Sequence, residues 1–173
     1  MLFRSEVVAD IRAVPRSRRN PQFDRTELKR SLAQQHTRYV HLPALGGLRR
    51  ACKDSINTGW QNASFRGYAD YMQTPEFQSA IDDLIALAAG QRTVIMCAEA
   101  VPWRCHRSLV GDALIVRGVA VEELMSETKS KPHKLTCPSP KIRRATRIES
   151  SNVRSTTYVP SVQTLRTPRA TLK

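Results

Sequence analysis

Short apolar runs alternate along the chain with segments whose apolar residues recur every three or four positions. The runs predict strands. The run at residues 93–96 predicts a buried strand, because a strand covered on both faces is hydrophobic at nearly every position, whereas the run at residues 6–14 predicts a strand of mixed burial. The runs cover residues 6–14, 38–45, 93–96 and 119–125. The helical spacing covers residues 24–35, 64–72, 75–89 and 105–117. The chain therefore alternates between predicted strands and predicted helices.

This order, β-α-β-α-α-β-α-β, predicts an α/β fold: a small, mostly parallel sheet of about four strands with helices on both faces, in three layers. Asp24 followed by Glu27 has the spacing of a capping box. The run from Thr74 to Glu76 combines a cap residue, a proline and an acid, as helix starts do. Residues 48–63 show neither period, and a connection of that length is typical of a functional loop or lid.

The net charge of +13 is unevenly distributed. Residues 129–173 carry eleven Lys or Arg and one acid, whereas residues 1–128 carry seventeen and fourteen. The end of the chain is also rich in Ser, Thr and Pro and has no Phe or Trp. Such a composition cannot bury enough apolar surface to offset the entropy of ordering. We expect an α/β domain over residues 1–135 and a basic, disordered tail over residues 136–173.

Four cysteines, at positions 52, 97, 105 and 137, form no Cys-x-x-Cys pair, which speaks against a zinc ribbon or a thioredoxin-type site. No signal peptide and no apolar run of membrane-spanning length is present. We expect a cytoplasmic protein with free thiols and no membrane partner. The sequence does not indicate an oligomeric state.

Reactive side chains crowd the corner where the strand at residues 93–96 meets the next helix. Cys105 lies at or just before that helix, where the helix dipole and the neighbouring Arg104 and Arg107 would lower the pKa of its thiol. A thiol of this kind is a nucleophile or a metal ligand. The alternative is a small buried residue, a common use of free cysteine.

Candidate catalytic residues at this corner are Cys97, Glu99, Cys105 and His106. Glu99 suits a general acid or base, or else it pairs with a nearby arginine. Cys97, Cys105 and His106, together with His41 from another strand end, could hold a metal ion. Cys97 and His41 could equally be ordinary core or hydrogen-bonded residues.

Arginines could form an anion site on the same rim. Ligands bind at the carboxyl ends of parallel strands, and guanidinium groups beside a helix N-terminus suit phosphate or carboxylate. The candidates are Arg12, Arg16, Arg104 and Arg107, with Asp10 and His41 lining the same site. This expectation requires the residues after the first strand to meet the residues after the third strand in one cleft. The alternative is a set of solvated or ion-paired surface arginines.

Several of these segments, in order, resemble the domain-of-unknown-function family 488. The resemblance rests on Asp10-Ile11-Arg12, His41-Leu42-Pro43 with Gly46-Gly47, residues 65–72, Met96 to Glu99, and Cys105-His106-Arg107, and it covers about residues 7–135. It implies a small α/β fold and a shared polar site, and it implies no particular reaction. Members of the family usually begin with a further strand and helix, for which Met1 to Ser5 leave no room. We therefore expect one edge of the sheet to be bare.

The leading functional hypothesis is an enzyme-like domain that binds a phosphate-bearing ligand, a nucleotide or a nucleic acid, at the Cys/Glu/His/Arg site. A non-catalytic nucleic-acid-binding or DNA-repair accessory module, using the basic tail, is the alternative. A cysteine phosphatase or sulfurtransferase based on Cys97 with Arg104 has less support, because the intervening loop lacks the glycines that would turn amides toward an oxyanion.

Overall fold

The computed structural model describes residues 5–101, 104–136 and 162–165 of the chain. The strands are β1 (Val7–Asp10), β2 (Arg38–His41), β3 (Thr93–Met96), β4 (Glu122–Leu124), β5 (Ser130–Pro132) and β6 (Val162–Leu165). The helices are α1 (Arg25–Gln34), α2 (Ala63–Tyr71), α3 (Pro75–Gly90) and α4 (Arg107–Val116), with 3-10 turns at Pro21–Phe23 and Pro43–Leu45. No helix among the described residues is both long enough and apolar enough to cross a membrane.

The sheet has the order β2-β1-β3-β6-β4-β5. Strand β1 is the middle of the parallel part of the sheet, because it pairs in parallel with β2 on one side and with β3 on the other. Strand β6 is antiparallel to both β3 and β4, so β4 runs in the same direction as β3. All four predicted strands are present, and the predicted α/β class is confirmed. Strands β2, β1 and β3 form a parallel sheet, whereas the three remaining pairings are antiparallel. The hairpin-like pairing of β4 with β5 is an addition that the sequence did not indicate.

Most of the tail for which we expect disorder lies outside the described residues, and so does Cys137. The exceptions are Thr136 and strand β6. The backbone of β6 occupies the position between β3 and β4, so this short part of the expected tail is a strand of the sheet.

The two faces of the sheet are covered by different helices. Ala9 and Ile95, which are partners in the sheet, belong to a large apolar cluster with side chains from α2, α3 and α4. Val8 and Val94, the preceding partners, belong to a smaller cluster with Leu28 of α1. Because side chains alternate between the faces of a sheet, α1 lies on one face and α2, α3 and α4 lie on the other. This is the three-layer arrangement expected from the sequence.

The two predicted helix starts differ in how they are capped. The Thr74 hydroxyl accepts a hydrogen bond from the Phe77 amide at 3.3 Å, as the sequence predicts. Asp24 occupies the cap position of α1, but its carboxylate accepts from the Ser17 amide at 2.6 Å instead of from the helix. The capping-box prediction is therefore wrong at Asp24, because the preceding loop competes for the same oxygen.

A buried ionic cluster holds the end of the described domain against α4. His133 lies between Asp112, 2.8 Å from its Nε2, and Glu123, 3.0 Å from its Nδ1. The two carboxylates raise the pKa of His133 against the opposing effect of burial. Gly111 in α4 leaves the space that the His133 imidazole occupies, because a Cβ at Gly111 would lie 2.9 Å from Nε2 of His133.

Candidate functional site

The carboxyl ends of the three parallel strands meet at one edge of the sheet. Asp10 at the end of β1 is paired with His41 on one side and with Met96 on the other. The Ile11 amide donates to the Met96 carbonyl at 3.0 Å, so the pairing continues just past the strand ends. The residues that follow β1 and β3 therefore leave the sheet side by side, where ligands of parallel sheets bind.

Two thiols and one imidazole converge at this edge. The Sγ atoms of Cys97 and Cys105 lie 3.9 Å and 4.0 Å from Nδ1 of His106, and all three atoms lie within 4.8 Å of one another. Cys105 is 1% exposed, whereas Cys97 and His106 are partly exposed. A small ligand would reach the cluster from the side of Cys97 and His106. We call these three residues the thiol centre.

Each member of the thiol centre is positioned by an adjacent element. Cys97 directly follows β3 and packs against the apolar cluster on the α2–α4 face. Cys105 lies in the turn that leads into α4, and its carbonyl accepts from both the amide and the hydroxyl of Ser108. This turn places the Cys105 sulfur beneath the first turn of α4, where the helix dipole favours negative charge.

His106 is held between an aromatic ring and a glycine. The ring of Tyr68 lies 5.0 Å from the imidazole, centroid to centroid, and a Cβ on Gly47 would approach Nδ1 to 2.8 Å. The buried Nε2 atom of His106 makes no hydrogen bond with any described residue. The imidazole is therefore positioned by packing, with Nδ1 turned toward the two sulfurs.

The conformation of the turn that contains Gly47 depends on the next two residues, Leu48 and Arg49. Leu48, the next residue, has a φ of 64°, a left-handed conformation that costs free energy in a branched residue. Arg49 compensates by donating to the carbonyls of Ala44 and Gly46, with its guanidinium 3.6 Å from the centroid of the Tyr71 ring.

The rest of the long connection is tied to α2 through one carboxylate. Asp70 accepts hydrogen bonds from the Cys52 amide, the Ser55 hydroxyl and the Asn57 amide group, at 2.6 to 2.8 Å. These bonds hold the pKa of Asp70 below its usual value although burial opposes them. The segment expected to be a functional loop or lid is thus anchored to α2, the helix whose Tyr68 lies against His106.

Arg107 joins Cys105 to the loop that follows β3. Its guanidinium is fully buried, and Nε donates to the Cys105 sulfur at 3.2 Å. The Arg107 backbone amide also points to this sulfur, at 3.4 Å, and Nη2 donates to the carbonyl of Glu99. Its positive charge therefore acts on the thiol and not on the protein surface.

The pKa values of Cys105 and Cys97 are shifted in opposite directions. A hydrogen bond from Cys97 lowers the pKa of Cys105 to about 6, and the charge and N–H groups of Arg107 act in the same direction while burial opposes them. The same hydrogen bond, together with burial, raises the pKa of Cys97 to about 12. The pair therefore loses one proton readily and holds the second, and contact with Arg107 assigns the negative charge to Cys105.

A second polar cluster lies at the same edge but on the other face. Asp10 pairs with Met96, which belongs to the apolar cluster on the α1 side, so its carboxylate also points to that side. The carboxylate is bound by the guanidinium of Arg12 at 2.6 to 3.1 Å and by the Tyr39 hydroxyl at 2.6 Å. We call these three residues the Asp10 network. His41 Nε2 lies 2.9 Å from the carbonyl of Arg12, next to this network.

The structure thus brings some of the expected site residues together and separates others. Cys97, Cys105 and His106 converge, and Arg107 supports them. Asp10, Arg12 and His41 lie on the opposite face of the sheet. His41 contacts the Arg12 carbonyl and is not part of the thiol centre. Arg16, Arg104 and Glu99 are exposed, and Glu99 contacts Arg107 through its carbonyl.

Gly47 is a site residue that the functional reasoning from sequence did not identify, and Tyr68 packs against His106 beside it. The pair Gly46-Gly47 reads from sequence as the end of a strand, and Tyr68 reads as a core position of a helix. A Cβ on Gly46 would lie 2.8 Å from Cα of Ala13, so this turn also touches the loop that follows β1. The close approach of this turn to His106 is a tertiary contact without a local signal.

A family model described as "Domain of unknown function DUF488" matches residues 3–114. The match includes every residue of the thiol centre and of the Asp10 network. It ends within α4, so it covers less of the second half of the domain than the residues 7–135 over which the resemblance was seen in the sequence. No curated protein and no solved structure matches the chain.

Proposed function

We propose that this chain, which belongs to the family Domain of unknown function DUF488, is an enzyme-like domain whose reactive group is the thiolate of Cys105. One observation carries the proposal: the Cys105 sulfur accepts hydrogen bonds from two N–H groups of Arg107, and the pKa of the Cys105 thiol is lowered to about 6. A thiol with this pKa is mainly ionised at neutral pH, and the thiolate is the nucleophilic form of cysteine.

The other two members of the thiol centre have supporting roles in this proposal. Cys97 keeps its proton and donates a hydrogen bond to the Cys105 thiolate, so it stabilises the negative charge on Cys105. His106 has Nδ1 within 4.0 Å of both sulfurs, which makes it the nearest group for moving a proton to or from a bound ligand. Glu99 would take part only through its exposed carboxylate, two residues beyond Cys97.

The ligand that we propose is phosphate-bearing, a nucleotide or a nucleic acid. Arg104 is exposed one residue before Cys105, and Arg16 is exposed on the loop whose Ala13 lies against Gly46. Both guanidinium groups are available to an anion at this edge. Arg12 and Arg107, the other expected anion-binding residues, already hold Asp10 and Cys105, so we assign them to positioning.

A phosphatase or sulfurtransferase that uses Cys97 as its nucleophile has less support. The pKa of Cys97 is raised to about 12, so its thiol stays protonated at neutral pH. Arg104, which would hold the anion in that mechanism, is exposed. A reducing compartment such as the cytoplasm, expected from the sequence, would keep both thiols in the free state that they have here.

The test is a titration of thiolate absorbance in the reduced, metal-free full chain. The unaltered chain should show one thiolate forming around pH 6, and Cys105→Ser should lose this step. Cys52→Ser is the matched control, because Cys52 is an exposed, free cysteine outside the thiol centre. A chain whose thiols all ionise near pH 9, the ordinary value, would contradict the proposal.

A further inference from the structure

We propose that the thiol centre binds one thiophilic divalent metal ion, for which Zn²⁺ is the appropriate probe, through Cys97, Cys105 and His106. The inference deepens the proposed function and rests on it, because the thiolate that would attack a ligand is also the group that a soft metal would coordinate. Three protein ligands leave a fourth position of a tetrahedral ion open, as in catalytic zinc sites. A phosphoryl oxygen of the ligand could occupy that position and be polarised there.

The distances between the ligand atoms are close to those of a metal site. A tetrahedral ion about 2.3 Å from sulfur and about 2.0 Å from nitrogen sets each S···N distance at about 3.5 Å. The two S···N distances here are 3.9 Å and 4.0 Å. A contraction of about 0.5 Å, within the freedom of the side-chain rotamers, would bring both S···N distances to this value. The two sulfurs, which lie within 4.8 Å of each other, would have to approach to about 3.8 Å.

The donor set and its surroundings select the kind of ion. Two thiols and an imidazole suit Zn²⁺, whereas Mg²⁺ and Ca²⁺ prefer oxygen ligands. Two cysteine thiolates would neutralise the charge of a divalent ion. The N–H groups of Arg107 that point to the Cys105 sulfur are outer-shell donors, which orient ligands in many metal sites.

The cluster is also accessible to an ion. Cys97 and His106 are partly exposed, so the metal would enter from their side without unfolding of the core. Nδ1 of His106 is the nitrogen turned toward the sulfurs, while Nε2 is buried and makes no hydrogen bond with any described residue. The imidazole therefore has one nitrogen directed at the site.

The experiment is an anaerobic titration of the reduced, chelator-treated full chain with Co²⁺, followed by displacement with Zn²⁺. We expect one ion per chain, with sulfur-to-cobalt charge-transfer bands and the intense visible bands of tetrahedral cobalt. Zn²⁺ should abolish both sets of bands. Absence of these bands, or bands of an octahedral ion with oxygen ligands, would overturn the inference.

Single substitutions assign the ligands. Cys97→Ser, Cys105→Ser and His106→Gln should each weaken Zn²⁺ binding, measured by competition with a chromophoric chelator, by more than the roughly 10–100-fold typical of outer-shell changes. Cys52→Ser should bind Zn²⁺ as the unaltered chain does. Cys97 is partly exposed, so its serine variant should fold and report on binding even if the buried Cys105→Ser variant does not.

A pair of glycine variants tests the geometry without removing a ligand. Gly47→Ala places a methyl group 2.8 Å from Nδ1 of His106 and should displace the imidazole, with roughly tenfold weaker Zn²⁺ binding. Gly59→Ala is the matched control, because a Cβ there would meet nothing within 4 Å. Equal affinities for the two variants would contradict the participation of His106.

The two proposals fail in different ways. A chain that binds no Co²⁺ or Zn²⁺ but forms a thiolate around pH 6 overturns the metal site and leaves the proposed function in place. A chain that binds one Zn²⁺ through these residues, although its metal-free thiols ionise near pH 9, supports the metal site and overturns the activated-thiol function.

Discussion

Two polar clusters lie at the carboxyl edge of the same three strands, and they differ in how their charges are satisfied. In the Asp10 network, the carboxylate accepts the Arg12 guanidinium, the Arg12 backbone amide and the Tyr39 hydroxyl. In the thiol centre, the Cys105 thiolate is held by Arg107 and Cys97, but His106 Nδ1 stands 3.9 Å and 4.0 Å from the sulfurs, beyond a short hydrogen bond.

We propose that the difference separates a structural cluster, the Asp10 network, from a reactive cluster, the thiol centre. Asp10 is fully buried and Arg12 is 5% exposed, so a ligand would have to break their ion pair to reach either of them. The thiol centre is partly exposed at Cys97 and His106, and its two sulfurs and one nitrogen lie within 4.8 Å of one another. The structural cluster should therefore contribute stability and the reactive cluster chemistry, and the following changes test that division.

The largest effect is expected from Arg12→Ala. This change leaves the Asp10 carboxylate buried without its cation, and breaking a buried pair in this way costs about 3–5 kcal/mol. The free energy of unfolding, measured with urea, should fall by that amount. Arg16→Ala is the matched control, because Arg16 is exposed and its loss should change stability by less than about 0.5 kcal/mol.

The thiolate formed around pH 6 should persist in whatever fraction of the Arg12→Ala chain remains folded. A variant that keeps its stability but loses this titration would show that the Asp10 network serves the thiol centre.

The pH dependence of stability should separate the two clusters. The pKa of Cys105 is lowered from about 9 to about 6, so its contribution is complete above pH 9 and is lost as the pH falls toward 6. This amounts to at most about 4 kcal/mol, at about 1.4 kcal/mol for each unit. The pKa of Cys97 is raised toward about 12, so its contribution is lost as the pH rises above 9.

Asp10 acts in a separate pH window. Burial raises its pKa, but the hydrogen bonds from Arg12 and Tyr39 prevail and hold it below 3.8, so its contribution is lost only as the pH falls below that value. The free energy of unfolding in urea should fall as the pH is lowered from 9 to 6 in the unaltered chain but not in Cys105→Ser. A slope that survives in the serine variant would assign it to another group.

A smaller effect is expected from Tyr39→Phe. The Tyr39 hydroxyl donates to the buried Asp10 carboxylate at 2.6 Å, and a hydrogen bond to a charged group contributes about 1.5–3 kcal/mol. Tyr39 is partly exposed, so we expect a loss near the lower value in urea unfolding. Tyr71→Phe is the matched control: it removes a neutral bond to the Ala44 carbonyl at an exposed site and should cost less. Equal losses in the free energy of unfolding would mean that the hydrogen bond to the Asp10 carboxylate stabilises the fold no more than the neutral bond to the Ala44 carbonyl does.

The sequence predicts each element of the parallel sheet because each has a local signal. Thr93 to Met96 is an apolar run whose predicted bounds are those of β3, and Cys105 lies just before α4 as its helical period indicates. Cys97, Cys105 and His106 are close in sequence around one loop, so their convergence was also predictable. What joins them is covalent proximity and one strand–turn–helix corner.

The separation of Asp10 from the thiol centre could not be predicted in the same way. Which face a residue occupies depends on strand register, and Asp10 is paired with Met96, one residue before Cys97. That single step places the two groups on opposite faces. The roles of Gly47 and Asp70 depend on contacts between distant segments, and for these the sequence carries no periodic signal.

The smallest effect is expected from Glu99→Gln, which concerns the boundary of the reactive cluster. The Glu99 carboxylate is exposed and makes no hydrogen bond or ion pair with any described residue, while its carbonyl accepts from Arg107. Because the substitution retains the carbonyl, both the urea stability and the Cys105 titration should stay unchanged, stability within about 0.5 kcal/mol. Arg107→Met is the contrasting variant: it removes the donor to the Cys105 sulfur, so the pKa of Cys105 should rise. A rise of the same size in Glu99→Gln would show that the carboxylate reaches the thiol pair, and the reactive cluster would then have to include Glu99.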